Sequence, residues 1–194
     1  LEINDKLTDD LINSFIKNIV INDEKIINNK YLSKIKINFD KKKIIAYLRL
    51  NNISYVEYHP HRFLLIIYEI NGLNNNLFTN NNTYYKFLNE NLKNNNLFKI
   101  PNLDINDRFI LKKEDIIKRD LNKIKEFSNK YDSSENIIVI AKNDNEKITY
   151  NLILYSNHKI LEKELIINKN NIDLFFKKLE KETLNLWKQI NKIQ

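Results

Sequence analysis

The stretch Arg62-Phe63-Leu64-Leu65-Ile66-Ile67-Tyr68-Glu69-Ile70 decides the fold. Phe63 to Tyr68 is apolar without interruption, and successive residues of a strand point to opposite faces, so both faces are apolar here. A strand of that kind belongs at the centre of a sheet covered on both sides. Asn136 to Ala141 reads the same way. Between them, the run from Thr83 or Asn82 to about Leu92 and the run Glu114 to Lys130 carry apolar residues at helical spacing, with Pro101 to Phe109 as a loop or single turn. Leu97 to Ile100 reads as a short strand. Alternation of strands and helices predicts crossover connections and parallel pairing.

Outward from that centre the pattern changes. Ile148 to Tyr155 and Ile160 to Ile167 alternate in polarity and predict a hairpin turned at Asn157-His158, followed by an amphipathic helix from Ile172 to Ile190. On the amino-terminal side, Thr8-Asp9-Asp10 opens a helix carrying Leu11, Phe15, Ile16 and Ile19. Ile19 to Ile27 and Tyr31 to Phe39 then read as strands joined at Asn28-Asn29. In the second, Ile35, Ile37 and Phe39 share one face, and Lys34, Lys36 and Asn38 the other. Asp40 caps a helix over Lys41 to Leu50, which Asn51-Asn52 ends. Ile53 to Tyr58 is expected to be extended. The expected class is therefore α/β with an α+β tendency: a mixed sheet with helices on both faces in residues 59–194, preceded by a small helix-plus-hairpin subdomain in residues 1–58.

Composition narrows the chemistry. Of 194 residues 35 are Asn, against one Gly and two Pro, and 42% are hydrophobic. A core is affordable at that hydrophobic content. The dominance of Asn, Ile and Lys matches AT-rich codons, and Asn takes turn positions because it tolerates the left-handed backbone. The net charge of +7 is spread over both halves, with short clusters at Lys41-Lys42-Lys43 and Lys112-Lys113, and reads as a solvated surface. With no Cys, disulfides and thiolate metal sites are excluded. The absence of Met at Leu1 is read as processing or truncation that removed a signal peptide. No apolar run reaches the roughly 20 residues that span a bilayer.

Chemical motifs are sparse. With Gly72 the sole glycine, the glycine-rich phosphate loops are ruled out. Asn71-Gly72 follows the central strand, where open α/β sheets bind ligands. His59 and His61 share one side of an extended segment and are weak metal candidates, with Glu57 as the one nearby third ligand. Asp104 and Asp107 follow Pro101; they could act as an acid–base pair, or cap a short helix and pair with Lys or Arg. The serines lack a nucleophile-elbow setting. Tyr55, Tyr58, Tyr84 and Tyr85 could stack bases. No catalytic residue and no cofactor is assigned.

The layout resembles a proteobacterial family known as domain of unknown function 2066. The likeness rests on Phe39-Asp40 through Leu48, Asn51-Asn52-Ile53-Ser54, His61-Arg62-Phe63 through Ile67, and Pro101 with Asp104 and Asp107. Tyr131 through Ile140 and the terminal helix complete it. The family's proline after Arg62 is missing, although Pro60 lies close by, and its arginine- and glycine-rich character is absent. The resemblance implies an exported, periplasmic or envelope-associated protein without established activity, whose partner is another envelope protein. Three readings follow: a non-enzymatic protein-binding or structural domain, which ranks first; a basic nucleic-acid-binding module; and a metal-dependent hydrolase using Asp104, Asp107, His59 or His61.

Overall fold

The computed structural model describes residues 7–91, 96–144, 146–156, 158–169 and 171–193. It divides into two compact units, residues 1–55 with 193–194, and residues 56–192. The division thus falls after Tyr55 rather than after Tyr58.

In the first unit, α1 (Asp9–Ser14) leads into strands β1 (Ile16–Ile27) and β2 (Lys30–Phe39) and then α2 (Lys41–Leu50). Thr8 Oγ1 accepts the Leu11 N–H, and Asp40 Oδ1 accepts those of Lys42 and Lys43, so both helices start on side-chain caps. The β1–β2 turn has positive φ at both Asn28 and Asn29, 49° and 58°, as a two-residue type I′ hairpin requires. Asn does here what glycine usually does. It does so again at Asn52 (φ 53°), where the Ile53 N–H reaches Leu48 O and the Asn52 N–H reaches Arg49 O, a Schellman end to α2.

In the second unit β3 (Phe63–Asn71) runs parallel to β6 (Asn136–Asn143), and β6, β7 (Lys147–Ser156) and β8 (Lys159–Asn168) form an antiparallel meander. On the other side of β3 lie two short strands, β4 (Asn74–Asn76), antiparallel, and β5 (Phe98–Lys99), parallel. The sheet is mixed, with helices on both faces. The odd residues Phe63, Leu65 and Ile67 pack with α3 (Thr83–Asn91) and α7 (Ile172–Asn191), while Leu64, Ile66 and Tyr68 pack beneath α4 (Ile105–Ile110), α5 (Lys113–Lys118) and α6 (Leu121–Lys130). Phe63 to Ile67 are fully buried, each contributing about 1.5–3 kcal/mol of transfer free energy.

Between β5 and β4 the outer edge of β3 has no strand partner, and α3 supplies one. Tyr85 Oη accepts the Ile67 N–H at 2.8 Å, and Asn82 Nδ2 donates to Ile67 O at 3.0 Å. Backbone groups that a strand would have satisfied are satisfied by two side chains.

Two expectations need correction. The first helix ends at Ser14, and Ile16 and Ile19 belong to β1, where a β-bulge between Ile16 and Asn18 brings their three-residue spacing onto one face of the strand. The segment expected as one helix from Glu114 to Lys130 is two, broken where Arg119 takes the left-handed conformation (φ 60°) and Asp120 caps a new start. Ile53 to Tyr58 forms no strand beyond the single bridge of Tyr55 to Ile193. Leu92 and Asn157, expected at a helix end and a turn, lie outside the described residues.

Candidate functional site

The sequence-selected residues fall in separate places. Asn71 pairs with Asn74 across a two-residue turn in which Gly72 adopts φ +59°, so the glycine closes the β3–β4 hairpin. His59 and His61 are exposed on the segment leading into β3. Among the described residues no group of three His, Cys, Asp or Glu is gathered as a metal site. Tyr84 and Tyr85 are buried, so they offer no stacking surface.

Pro101 is buried, and beyond it Asp104 and Asp107 come together with two residues from the end of α6. Asp104 Oδ1 accepts the Asp107 N–H at 2.9 Å and so caps α4. Asp107 is fully buried. Its Oδ2 accepts the Leu103 N–H at 2.9 Å, while Oδ1 accepts from Lys130 Nζ at 2.7 Å and Tyr131 Oη at 2.6 Å. The backbone amide of Asp107, then Lys130, hold the Asp104 carboxyl below the usual range. Asp107 in turn raises the Lys130 ammonium. Burial, then the hydrogen bond to Asp107, push the Tyr131 hydroxyl up to about 12, so it remains a donor. Every lone pair that this network uses is spent inside the protein, and the arrangement ties a loop to α6.

The first unit presents a different kind of surface. The register of β1 on β2 pairs Ile19 with Ile37, Ile21 with Ile35 and Ile26 with Tyr31. Partners opposite each other share a face, so these six residues and Phe39 line one side of the ribbon. All seven are exposed, Ile26 by 78% and Ile35 by 61%. Lys34 and Lys36 stand on the other side, with Lys34 bound to Asp23 at 2.7 Å. No described residue of the unit is buried. The alternation of β2 is plain in the sequence; what was not legible is that no described residue of its own unit buries its apolar side.

A third feature was missed altogether. A groove of about 480 Å³ runs between α6 and the turn joining β7 to β8. Leu121 and Ile124 give it an apolar wall, Ser128, Ser133 and Ser134 supply hydroxyls, and Lys125, His158 and Lys159 supply basic groups. Tyr155 and Asn136, both nearly fully buried, also line it, and neither Tyr155 Oη nor Asn136 Oδ1 has a hydrogen-bond partner among the described residues. The Ser133-Ser134 and Tyr155-Ser156 pairs at strand ends were the available signal. They escape a reading that weighs serines only as nucleophiles.

No protein-family model matches the chain, and no curated protein matches it. Among solved structures it is similar to the C-terminal domain of LpoB from Salmonella enterica, at 10% identity and a TM-score of 0.36, over 65% of this chain and 93% of that one. A likeness that distant carries no conclusion about this chain. Among the described residues no helix is long and apolar enough to cross a membrane.

Proposed function

We propose that this chain is a non-enzymatic, exported protein-binding module, and that its first unit receives one amphipathic helix of an envelope protein on the apolar face of the β1–β2 ribbon. The observation that carries this reading is that seven large apolar side chains share one face of a unit with no buried residue. A two-stranded ribbon is at best marginally stable in water by itself. Exposed apolar patches of this extent mark interaction surfaces.

The dimensions favour a helix. Two strands make a face about 10 Å wide, the diameter of one α-helix, and ten residues of strand span about 33 Å, the length of a roughly 20-residue helix. The opposite side mixes Lys25, Lys30, Lys34 and Lys36 with Val20, Ile27 and Leu32, so it is the more polar of the two. Export rests on the resemblance to the envelope family.

Accessibility of the face is the first test. The dye 8-anilinonaphthalene-1-sulfonate is expected to fluoresce with the purified chain, and Ile21→Lys with Ile35→Lys is expected to abolish the signal while the melting of the second unit stays unchanged. A chain that gives no dye signal has its apolar face covered in solution, and the reading fails. Recovery of the full-length protein in the cytoplasmic fraction of the cells that make it would overturn the exported part.

A further inference from the structure

We propose that the groove between α6 and the β7–β8 turn binds a small carboxylate ligand that also carries an N–H donor and an apolar group. The volume of about 480 Å³ lies in the range of small-molecule sites. Three observations define the ligand.

The first is charge. Lys125, His158 and Lys159 are exposed on the rim, no carboxylate lines the groove, and among the described residues these three make no ion pair. Two carboxylates on the same elements, Glu126 of α6 and Glu162 of β8, are engaged elsewhere. Glu126 binds Lys123 at 2.7 Å, and Glu162 takes a two-pronged hydrogen bond from Arg119 at 2.8 and 3.1 Å. Asp120 accepts the N–H groups of Asn122 and Lys123 and so already caps α6. The rim is therefore a local excess of positive charge, which favours an anion.

The second is the pair of unpartnered polar atoms. Buried polar groups are almost always hydrogen-bonded, so two orphans lining one groove need an account. Tyr155 Oη is held protonated by burial, which pushes it up to about 12, and is free to donate. Asn136 Oδ1 is free to accept. A ligand with an acceptor oxygen and an N–H satisfies both. Ser128 and Ser133 do not, because Ser128 Oγ donates to Ile124 O and Ser133 Oγ to Glu135 O. The third is the apolar wall of Leu121 and Ile124, which matches a branched aliphatic group.

N-acetyl-L-leucine carries all three features and is the probe; N-acetyl-L-leucinamide lacks the charge and is the control. The whole chain, labelled with nitrogen-15, is titrated with each, and amide resonances are followed. The carboxylate is expected to shift Ser128, Asn136 and Ser156 saturably at millimolar concentration, at least about tenfold more tightly than the amide. Lys125→Glu with Lys159→Glu, both at exposed positions, is expected to remove that preference with the melting temperature unchanged. Tyr155→Phe is expected to weaken binding about threefold or more, one hydrogen bond's worth. Equal shifts with the two probes, shifts confined to other residues, shifts that survive the double charge reversal, or no saturable shift with the carboxylate would each overturn the proposal, and the two orphan atoms would then be water sites.

Discussion

Asn82 donates from Nδ2 to the carbonyl of Ile67 at 3.0 Å while its Oδ1 accepts the N–H groups of Tyr84 and Tyr85. One fully buried amide therefore starts α3 and seals the gap on the outer edge of the central strand. A second donation, to Asn76 O, fastens the β4 turn. Asn82→Ala removes a helix cap and leaves buried carbonyls without donors. We expect a loss of about 3 kcal/mol, measured by urea unfolding, from roughly 1 for the cap and 1–3 for unsatisfied groups. Thr83→Ala, at an exposed position, is expected to cost less.

Asp107 is the other buried organiser. Removing it strands Lys130 Nζ, Tyr131 Oη and the Leu103 N–H together. Asp107→Ala is expected to lose about 3 kcal/mol, since breaking a buried charged network leaves its partners unpaired. Lys130→Met is expected to lose a comparable amount, about 3 kcal/mol, because it leaves the fully buried Asp107 carboxylate without its cation. A double-mutant cycle in urea at neutral pH reads the coupling.

Glu135 supplies a pH signature. The residue is nearly fully buried, and burial raises its carboxyl above the usual range, against the lowering effects of Ser156, Trp187 and His61. Trp187 Nε1 donates to Oε1 at 3.3 Å, while Oε2 has no partner among the described residues. A raised folded pKa means that the folded state binds more protons than the unfolded state between the two pKa values. The stability that this group contributes is thus fully present below the unfolded carboxyl pKa and is lost as pH rises through the folded one. Glu135→Gln keeps the acceptor for Trp187 and carries no charge. It is expected to exceed the parent chain in urea midpoint at neutral pH, with the advantage vanishing toward the unfolded carboxyl pKa of about 4. A difference that does not change with pH would show that the carboxyl is not perturbed.

The central strand was legible because burial on both faces leaves an unbroken apolar run, and Phe63 to Ile67 could hardly be anything else. The hairpin turn at Asn28-Asn29 was legible because Asn tolerates positive φ. The break between α5 and α6 was not: Arg119 has no left-handed preference, and its side chain is held by local bonds to Ile116 O and Ile117 O and by a tertiary pair with Glu162. Ile16 and Ile19 misled because their spacing fits a helix face, and only pairing with Phe39 and Ile37 decides for a strand. For Asp104 and Asp107 the residues were visible, but Lys130 and Tyr131, more than 20 positions away, determine what they do. The groove escaped because its walls come from α6, the start of β6 and the end of β7, and no local pattern joins them.

The central claim is that the apolar face of the ribbon receives a helix from another protein. The most direct measurement places a photo-crosslinking amino acid at Ile35, in the middle of that face, in the full-length protein within the cells that make it, and sequences the cross-linked peptide. The account expects one segment of a different envelope protein, with apolar residues at helical spacing, and loss of the cross-link when Ile21→Lys is introduced. A cross-link to the protein's own chain, to a second copy, or to a segment without a helical apolar stripe would contradict it.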